Sequence, residues 1–235
     1  MKNESGNVLF LILIGVVLYA ALSFMMTRSD TNNNLDAQKI NATANQLIQY
    51  GADVRQGVAR VRGQNGCAIE QISFDPAPYD GSYQSGYYNN PNSPSEKSCH
   101  VFHPDGGNVE YKAAEWQDKL SLTSETMFRI TGEAGLHGVG TFNCSGASCK
   151  DIYINVIAPK SSTDDLCVQY NRILKNDALI PTLTRGGGLG GGYKGSFGTT
   201  TQNFFFSEAS GLKAYCFNYT ADTTLNKFIY VLVER

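Results

Sequence analysis

The feature that most constrains this chain is an uninterrupted apolar run close to its start. Residues 7–26 contain no charged side chain, and the next charge is that of Arg28. About 20 apolar residues in an α-helix rise roughly 30 Å, which is the thickness of the hydrocarbon core of a bilayer. The run therefore predicts a helix that enters a membrane once.

A short leader precedes this run. Residues 1–6 carry one Lys and one Glu and end in Gly6. A secretory signal peptide usually has a clearly basic start and an apolar stretch of about 7 to 15 residues, which is shorter than the run found here. A cleavable signal with its cut near residues 20–23 is the alternative interpretation.

The leader and the apolar run from Phe10 to Phe24 resemble the class III signal of type IV pilins and pseudopilins. In that family a prepilin peptidase cuts after the glycine, and the freed apolar helices pack together in the core of a filament. Asn7 and Leu11 stand where the family usually has Phe and Glu. The resemblance implies a processing site between Gly6 and Asn7. It also implies a filament-core surface, which we assign to Leu9, Phe10, Leu13, Val17, Leu18 and Leu22.

A second helical pattern follows. After the polar residues 27–34, apolar residues recur at gaps of three and four from Ile40 to Val61, which marks one face of a helix. We therefore expect an amphipathic stalk over residues 27–65 that continues a membrane helix over residues 7–26. The resemblance implies that the stalk packs under a globular head and belongs to a filament. A stalk that packs on its own domain in a single-pass protein is the alternative.

All six cysteines follow the apolar run. An even number of cysteines favours disulfides, which persist outside the cytosol, so we expect a periplasmic or extracellular body. We predict that neighbours along the chain pair, namely Cys67 with Cys99, Cys144 with Cys149, and Cys167 with Cys216. Zinc binding is the competing interpretation, but the sequence has no Cys-x-x-Cys pair.

The remaining residues, 66–235, are long enough for one domain and are rich in strand patterns. We predict one helix over 161–174 and one hairpin from segments 99–102 and 108–111. Alternation in 152–156 and 228–233 predicts a sheet with one buried face. The expected fold is α+β, with a long N-terminal membrane and stalk helix followed by a disulfide-bonded head rich in antiparallel sheet. Further strands are predicted at 126–131, 151–158, 202–207, 212–218 and 227–234.

Two segments have the composition of surface loops. Residues 75–94 are rich in Pro, Gly, Asn and Tyr, so we expect them outside, where tyrosines could contact a neighbouring subunit, a glycan or a host molecule. An ordinary tethered loop is the other interpretation. The tyrosines of this possible contact loop are Tyr79, Tyr83, Tyr87 and Tyr88.

The second segment is the glycine-rich stretch of residues 185–198. It lacks the Lys-Ser or Lys-Thr pair of a phosphate-binding loop.

The sequence carries no recognisable catalytic motif. The spacing of His100, His103 and Asp105 fits no hydrolase pattern, and we predict neither enzymatic activity, nor a cofactor, nor a metal. A net charge of −2 does not indicate a nucleic-acid surface. The predicted function is a structural subunit of an extracellular pilus-like filament, held in the inner membrane before it polymerises, with adhesion as an added role. The alternative is a monomeric, single-pass, membrane-anchored protein that binds a ligand outside the cytoplasm.

Overall fold

The computed structural model describes residue 10 and residues 12–20, 31–124, 127–136, 139–140, 150–174, 182–183, 191–198, 203–204, 210–219 and 224–235. The chain divides into two compact units, Met1–Lys39 and Ile40–Arg235. The second unit is an α+β domain with a mainly antiparallel sheet and disulfide bonds.

The predicted long apolar N-terminal helix is wrong, whereas residues 31–63 of the predicted stalk are helical. Among the described residues, no helix is both long and apolar enough to cross a bilayer. The long helix is α1, Thr31–Gly63, and its first residues are polar. Its apolar side chains follow one face, because that face packs on a protein core rather than on lipid. Residues 12–20 of the predicted span are helical, and residues 7–9, 11 and 21–26 lie outside the described part of the chain.

One sheet forms the centre of the second unit. Its strands are β1 (Phe128–Thr131), β3 (Ile152–Pro159), β7 (Leu225–Val233), β6 (Ala214–Tyr219) and β4 (Thr182–Leu183), in that spatial order. Neighbours are antiparallel except β4, which is parallel to β6. A separate parallel pair joins β2 (Gly135–Leu136) and β5 (Asn203–Phe204). Each of the five predicted strand segments contains a strand, whereas β2 and β4 were not predicted.

Both faces of the sheet are buried, whereas alternation predicted one buried face. Residues 152–158 of β3 are all buried. Ile154 and Phe228 belong to the main core, while Tyr153, Ile229 and Val231 belong to a second cluster. In the sequence, the alternation of tyrosine and β-branched residues suggested that one face of the sheet meets solvent. In the structure these side chains fill a second apolar layer.

Helix α1 covers the face that holds the main core. Its apolar pattern is confirmed, since Ala44, Leu47, Val54, Val58 and Val61 are all less than 5% exposed. The helix and β7 come close together at a glycine. A Cβ atom on Gly51 would lie 2.5 Å from the ring of Tyr230, so a larger residue there would push the helix off the sheet.

Two shorter helices complete the core. The predicted helix is present as α3, Lys160–Ile173, and it begins directly after Pro159 of β3. Ser162 and Thr163 donate their hydroxyls to the Pro159 carbonyl. Helix α2, Ala113–Leu120, was not predicted, because its apolar signal is confined to one short stretch around Trp116. Trp116 is the single tryptophan of the chain and is 1% exposed.

The Asn171 side chain of α3 takes the place of a neighbouring strand beside β6. Its amide Nδ2 donates to the Cys216 carbonyl at 2.9 Å, and its Oδ1 accepts from the Cys216 amide at 2.7 Å. In an antiparallel strand these two backbone groups point to the same side, so here they point away from β7. The side chain therefore satisfies two buried main-chain groups.

We expect Asn171→Ala to destabilise the domain by about 2 to 4 kcal/mol, because both main-chain groups of Cys216 would stay buried without a partner. Chemical unfolding followed by the fluorescence of Trp116 measures this loss. Asp165→Ala on the exposed side of the same helix is the control, with an expected change within about 0.5 kcal/mol. Equal stability of Asn171→Ala and the parent would show that solvent replaces the lost bonds.

The predicted hairpin at 99–111 is wrong. Residues 101–107 form consecutive turns, residues 108–111 form no strand, and His100 makes a parallel bridge to Ser73. The Gly107 amide donates to the His100 carbonyl at 2.9 Å. A Cβ atom on Gly107 would lie 2.4 Å from the Val101 carbonyl oxygen. The two glycines of Pro-Asp-Gly-Gly therefore allow the backbone to approach itself more closely than the two strands of a hairpin do.

Two of the predicted disulfides are confirmed, Cys67–Cys99 and Cys167–Cys216. The first closes the loop that contains residues 75–94, and the second ties α3 to β6. Cys144 and Cys149 lie outside the described residues.

Candidate functional site

The first candidate site is the apolar helical segment of residues 10 and 12–20. Of the predicted filament-core residues, Phe10, Leu13, Val17 and Leu18 are 58% to 62% exposed. Ile12, Val16 and Tyr19 between them are exposed as well, so the segment is apolar on all sides. A helix of this kind is normally covered by protein or lipid. Gly6, Asn7, Leu9 and Leu22 lie outside the described residues.

The tyrosine loop does not lie outside the domain as predicted. Tyr88 is fully buried, and Tyr79, Tyr83 and Tyr87 are partly buried against the main core. The Ile130 amide donates to the Tyr88 hydroxyl at 3.0 Å, and burial raises the pKa of that phenol. The prediction failed because it counted aliphatic residues, whereas aromatic rings with a polar tip can fill a core and still satisfy main-chain groups.

The second candidate site is a polar cavity of about 100 Å³ beneath this loop. Asp75, Ser93, Lys97 and His100 are among the residues that line it. Asp75 is 3% exposed and His100 is 4% exposed. Asp75 Oδ1, Ser93 Oγ and His100 Nδ1 are buried and have no hydrogen-bond partner in the part of the chain that the structure describes.

The remaining atoms of these side chains are held in place. Asp75 Oδ2 accepts from the Gly81 amide at 2.7 Å, and the His100 ring donates to the Asp75 backbone carbonyl. Because His100 Nδ1 has no partner among the described residues, that bond uses Nε2. Burial and the Lys97 ammonium group lower the pKa of His100 to about 4, so the imidazole is neutral at pH 7. Its Nδ1 therefore carries a lone pair rather than a proton.

His100 and His103 are close along the chain but lie in different surroundings. His103 lies outside the lining of the cavity, and its Nδ1 accepts from the Asp105 amide at 3.1 Å. Across the described ranges, no group of three or more His, Cys, Asp or Glu residues is placed to hold a metal ion. His100, His103 and Asp105 therefore do not form a metal cluster.

A larger groove of about 270 Å³ lies between α1 and residues 107–112. Its main polar groups are already paired. The Tyr50 hydroxyl donates to the Glu110 carbonyl and accepts from the Lys112 amide, and the Arg60 guanidinium donates to the Gly107 carbonyl. This pairing makes the groove a structural contact between α1 and the 107–112 segment.

Asp151 is a buried carboxylate at the start of β3. It accepts from the Leu136 and Arg235 amides, yet burial raises its pKa from 3.8 to about 6. Because the folded pKa is the higher one, the folded state binds this proton more tightly than the unfolded state. The stability contributed by protonated Asp151 is thus present below about pH 4 and is lost as the pH rises through 6.

We expect the parent to lose up to about 3 kcal/mol relative to Asp151→Asn between pH 4 and pH 7, because the variant cannot titrate there. Urea unfolding of both proteins at the two pH values measures the difference, in which the other titrating groups cancel. A difference that is the same at both pH values would contradict the raised pKa.

Sequence reasoning missed the cavity, because Asp75 and Ser93 are separated along the chain and meet only when the loop closes. The useful signal was the Cys67–Cys99 bridge around a segment with buried polar residues. Comparisons with protein-family models, with curated proteins and with solved structures find no match for this chain.

Proposed function

We propose that this chain is a structural subunit of an extracellular, pilus-like filament and that copies associate through the apolar segment of residues 10 and 12–20. The observation that carries the proposal is the exposure of that segment, in which large aliphatic and aromatic side chains face solvent. Burying one such side chain against another copy contributes about 1.5 to 3 kcal/mol, so several together supply a strong drive to self-association.

The disulfides support a location outside the cytosol. Cys67–Cys99 and Cys167–Cys216 are both formed between buried cysteines, and such bonds persist outside the reducing cytosol. We propose that the domain of residues 40–235 faces the exterior as the head of the subunit. Its tightly packed core and the two bridges of its described part suit a subunit head that is exposed to proteases and mechanical load. We propose no catalytic role for it.

Shearing of cells that produce the full chain tests the proposal. We expect the protein in the sheared fraction as long polymers in electron micrographs. A single cysteine introduced as Val16→Cys should react with a water-soluble maleimide after dissociation in detergent but not in the intact polymer. Dispersed single molecules with a reactive Cys at this position would refute self-association, and recovery of the protein only with lipid vesicles would assign the segment to lipid instead.

A further inference from the structure

The chain contains one Asn-Gly dipeptide, Asn65-Gly66, which follows the end of α1. Both residues are exposed. An asparagine side chain is attacked most readily when glycine follows it, because glycine has no side chain to shield the backbone nitrogen that makes the attack. A Cβ atom on Gly66 would meet no other atom within 4 Å, so the space beside this peptide group is open.

The backbone nitrogen of Gly66 is free of the hydrogen bonds that hold its neighbours. The Gln64 amide donates to the Arg60 carbonyl at 2.8 Å, and the Cys67 amide donates to the Val61 carbonyl at 3.1 Å. Between them, the Gly66 amide donates no hydrogen bond to any residue that the structure describes. The nitrogen can therefore lose its proton and attack without breaking a hydrogen bond of the fold.

The side-chain amide of Asn65 fastens the end of α1 to two other points of the chain. Its Nδ2 donates to the Ser98 carbonyl at 2.6 Å and to the Asp105 carbonyl at 3.2 Å. Ser98 directly precedes Cys99, which is bridged to Cys67. Both bonds are donated by the nitrogen that an attack on this amide would release, so the reaction and the contact depend on the same atom.

We propose that Asn65-Gly66 is a self-modification site, at which the folded protein converts Asn65 to aspartate and isoaspartate and so releases the end of α1 from residues 98 and 105. In the first step, the Gly66 nitrogen loses its proton to a base in the solvent, and its electron pair forms a bond to Asn65 Cγ. The Cγ–Nδ2 bond breaks, and Nδ2 takes a proton from solvent and leaves as ammonia. In the second step, water opens the resulting succinimide ring at either of its carbonyl carbons. One water is consumed, one ammonia is released, and nothing is oxidised or reduced.

Either product removes both donated bonds. A carboxylate only accepts hydrogen bonds, so it would face the carbonyl oxygens of Ser98 and Asp105 with no proton to donate. Isoaspartate also routes the main chain through the side-chain carbons, which lengthens the backbone shortly before the bridged Cys67. All of these residues belong to the unit Ile40–Arg235, so the inference does not depend on self-association.

Timed incubation of the purified full chain in mildly alkaline native buffer, followed by peptide mapping in a mass spectrometer, tests the site. We expect the peptide that contains residues 65–66 to gain the mass of an amide-to-acid change and to divide into aspartate and isoaspartate forms. Asn108 is the control within the same sample, since it is exposed but followed by Val109. It should convert several-fold more slowly, because the branched side chain of Val109 shields its nitrogen.

Asn65→Gln is the matched variant, because it keeps both N–H donors but would have to close a larger and less favourable ring. We expect no conversion at this position in the variant. Conversion of the parent in urea but not in native buffer over the same time would overturn the proposal, since the bonds to Ser98 and Asp105 would then hold the side chain against attack. Equal conversion of Asn65 and Asn108 would overturn it as well, because the glycine would then give no advantage.

Asn65→Asp tests the structural consequence. We expect amide hydrogen exchange in residues 98–107 of this variant to be several-fold faster than in Asn65→Gln, because the end of α1 no longer holds them. Equal exchange in the two variants would refute the release of α1. None of these results would bear on filament formation.

Discussion

Leu13→Asp is expected to abolish polymer formation, with a fall of more than about a hundredfold in the amount of sheared fibre, because several kcal/mol are lost at every contact. Leu13 is 59% exposed in the single chain, so a carboxylate there costs nothing until copies associate. In the polymer the charge would be taken out of water at each subunit, and the penalty would repeat along the fibre. Electron microscopy and sedimentation of the sheared fraction give the measurement.

Leu13→Met is the matched control for this experiment, because it keeps an apolar side chain of similar volume. Fibre yield should stay within about twofold of the parent, as expected for a swap that costs well under 1.5 kcal/mol. The head of both variants should unfold at the parental temperature, since Leu13 lies in the other compact unit. Fibres of normal length and abundance from Leu13→Asp would rule out the apolar segment as the contact between copies.

Removal of the Cys167–Cys216 bridge is expected to have the largest effect on the stability of the head. The two cysteines are 49 residues apart and fully buried. A crosslink that closes a loop of this length stabilises the folded state by about 4 kcal/mol, chiefly by restricting the unfolded chain. The double variant Cys167→Ala, Cys216→Ala should therefore lose about 4 kcal/mol in denaturant unfolding followed by Trp116 fluorescence.

The double variant Cys67→Ala, Cys99→Ala is the comparison, since its loop spans 32 residues and the same entropic argument gives nearly the same loss, about 3.7 kcal/mol. A much greater loss for Cys167 and Cys216 would show that the bridge also holds α3 on β6 in the folded state. A loss below about 1 kcal/mol for both pairs would contradict this entropic explanation. It would show that packing of the core alone provides the stability of the head.

Local patterns identified the elements whose signals are contained in a short stretch of chain. The gaps of three and four between Ala44 and Val61 predicted the buried face of α1, and the alternation around Ile154 and Ile229 predicted β3 and β7. The two described disulfides joined cysteines that are neighbours along the chain, which made the simplest pairing the right one. These features depend on the spacing of apolar residues or on the order of the cysteines, and both can be read directly from the sequence.

The errors share a different origin. An apolar run does not state what will cover it, so residues 7–26 suggested a membrane helix that the described residues do not contain. The turn residues of Pro-Asp-Gly-Gly suggested a hairpin, but close packing of Gly107 on Val101 favoured stacked turns. Tyrosines in a Pro- and Gly-rich loop suggested a surface, yet Tyr88 found partners in the core.

The sequence by itself determined the mixed helix and sheet content, the buried face of α1 and the order in which the described cysteines pair, because each is written in spacing along the chain. Only the tertiary structure decided that both faces of the sheet are buried and that Asn171 serves β6 in place of a strand. Only the tertiary structure, likewise, placed Asp75, Ser93 and His100 around one cavity. These outcomes depend on which distant segments share a volume, and burial and hydrogen-bond satisfaction are settled only once those segments pack together.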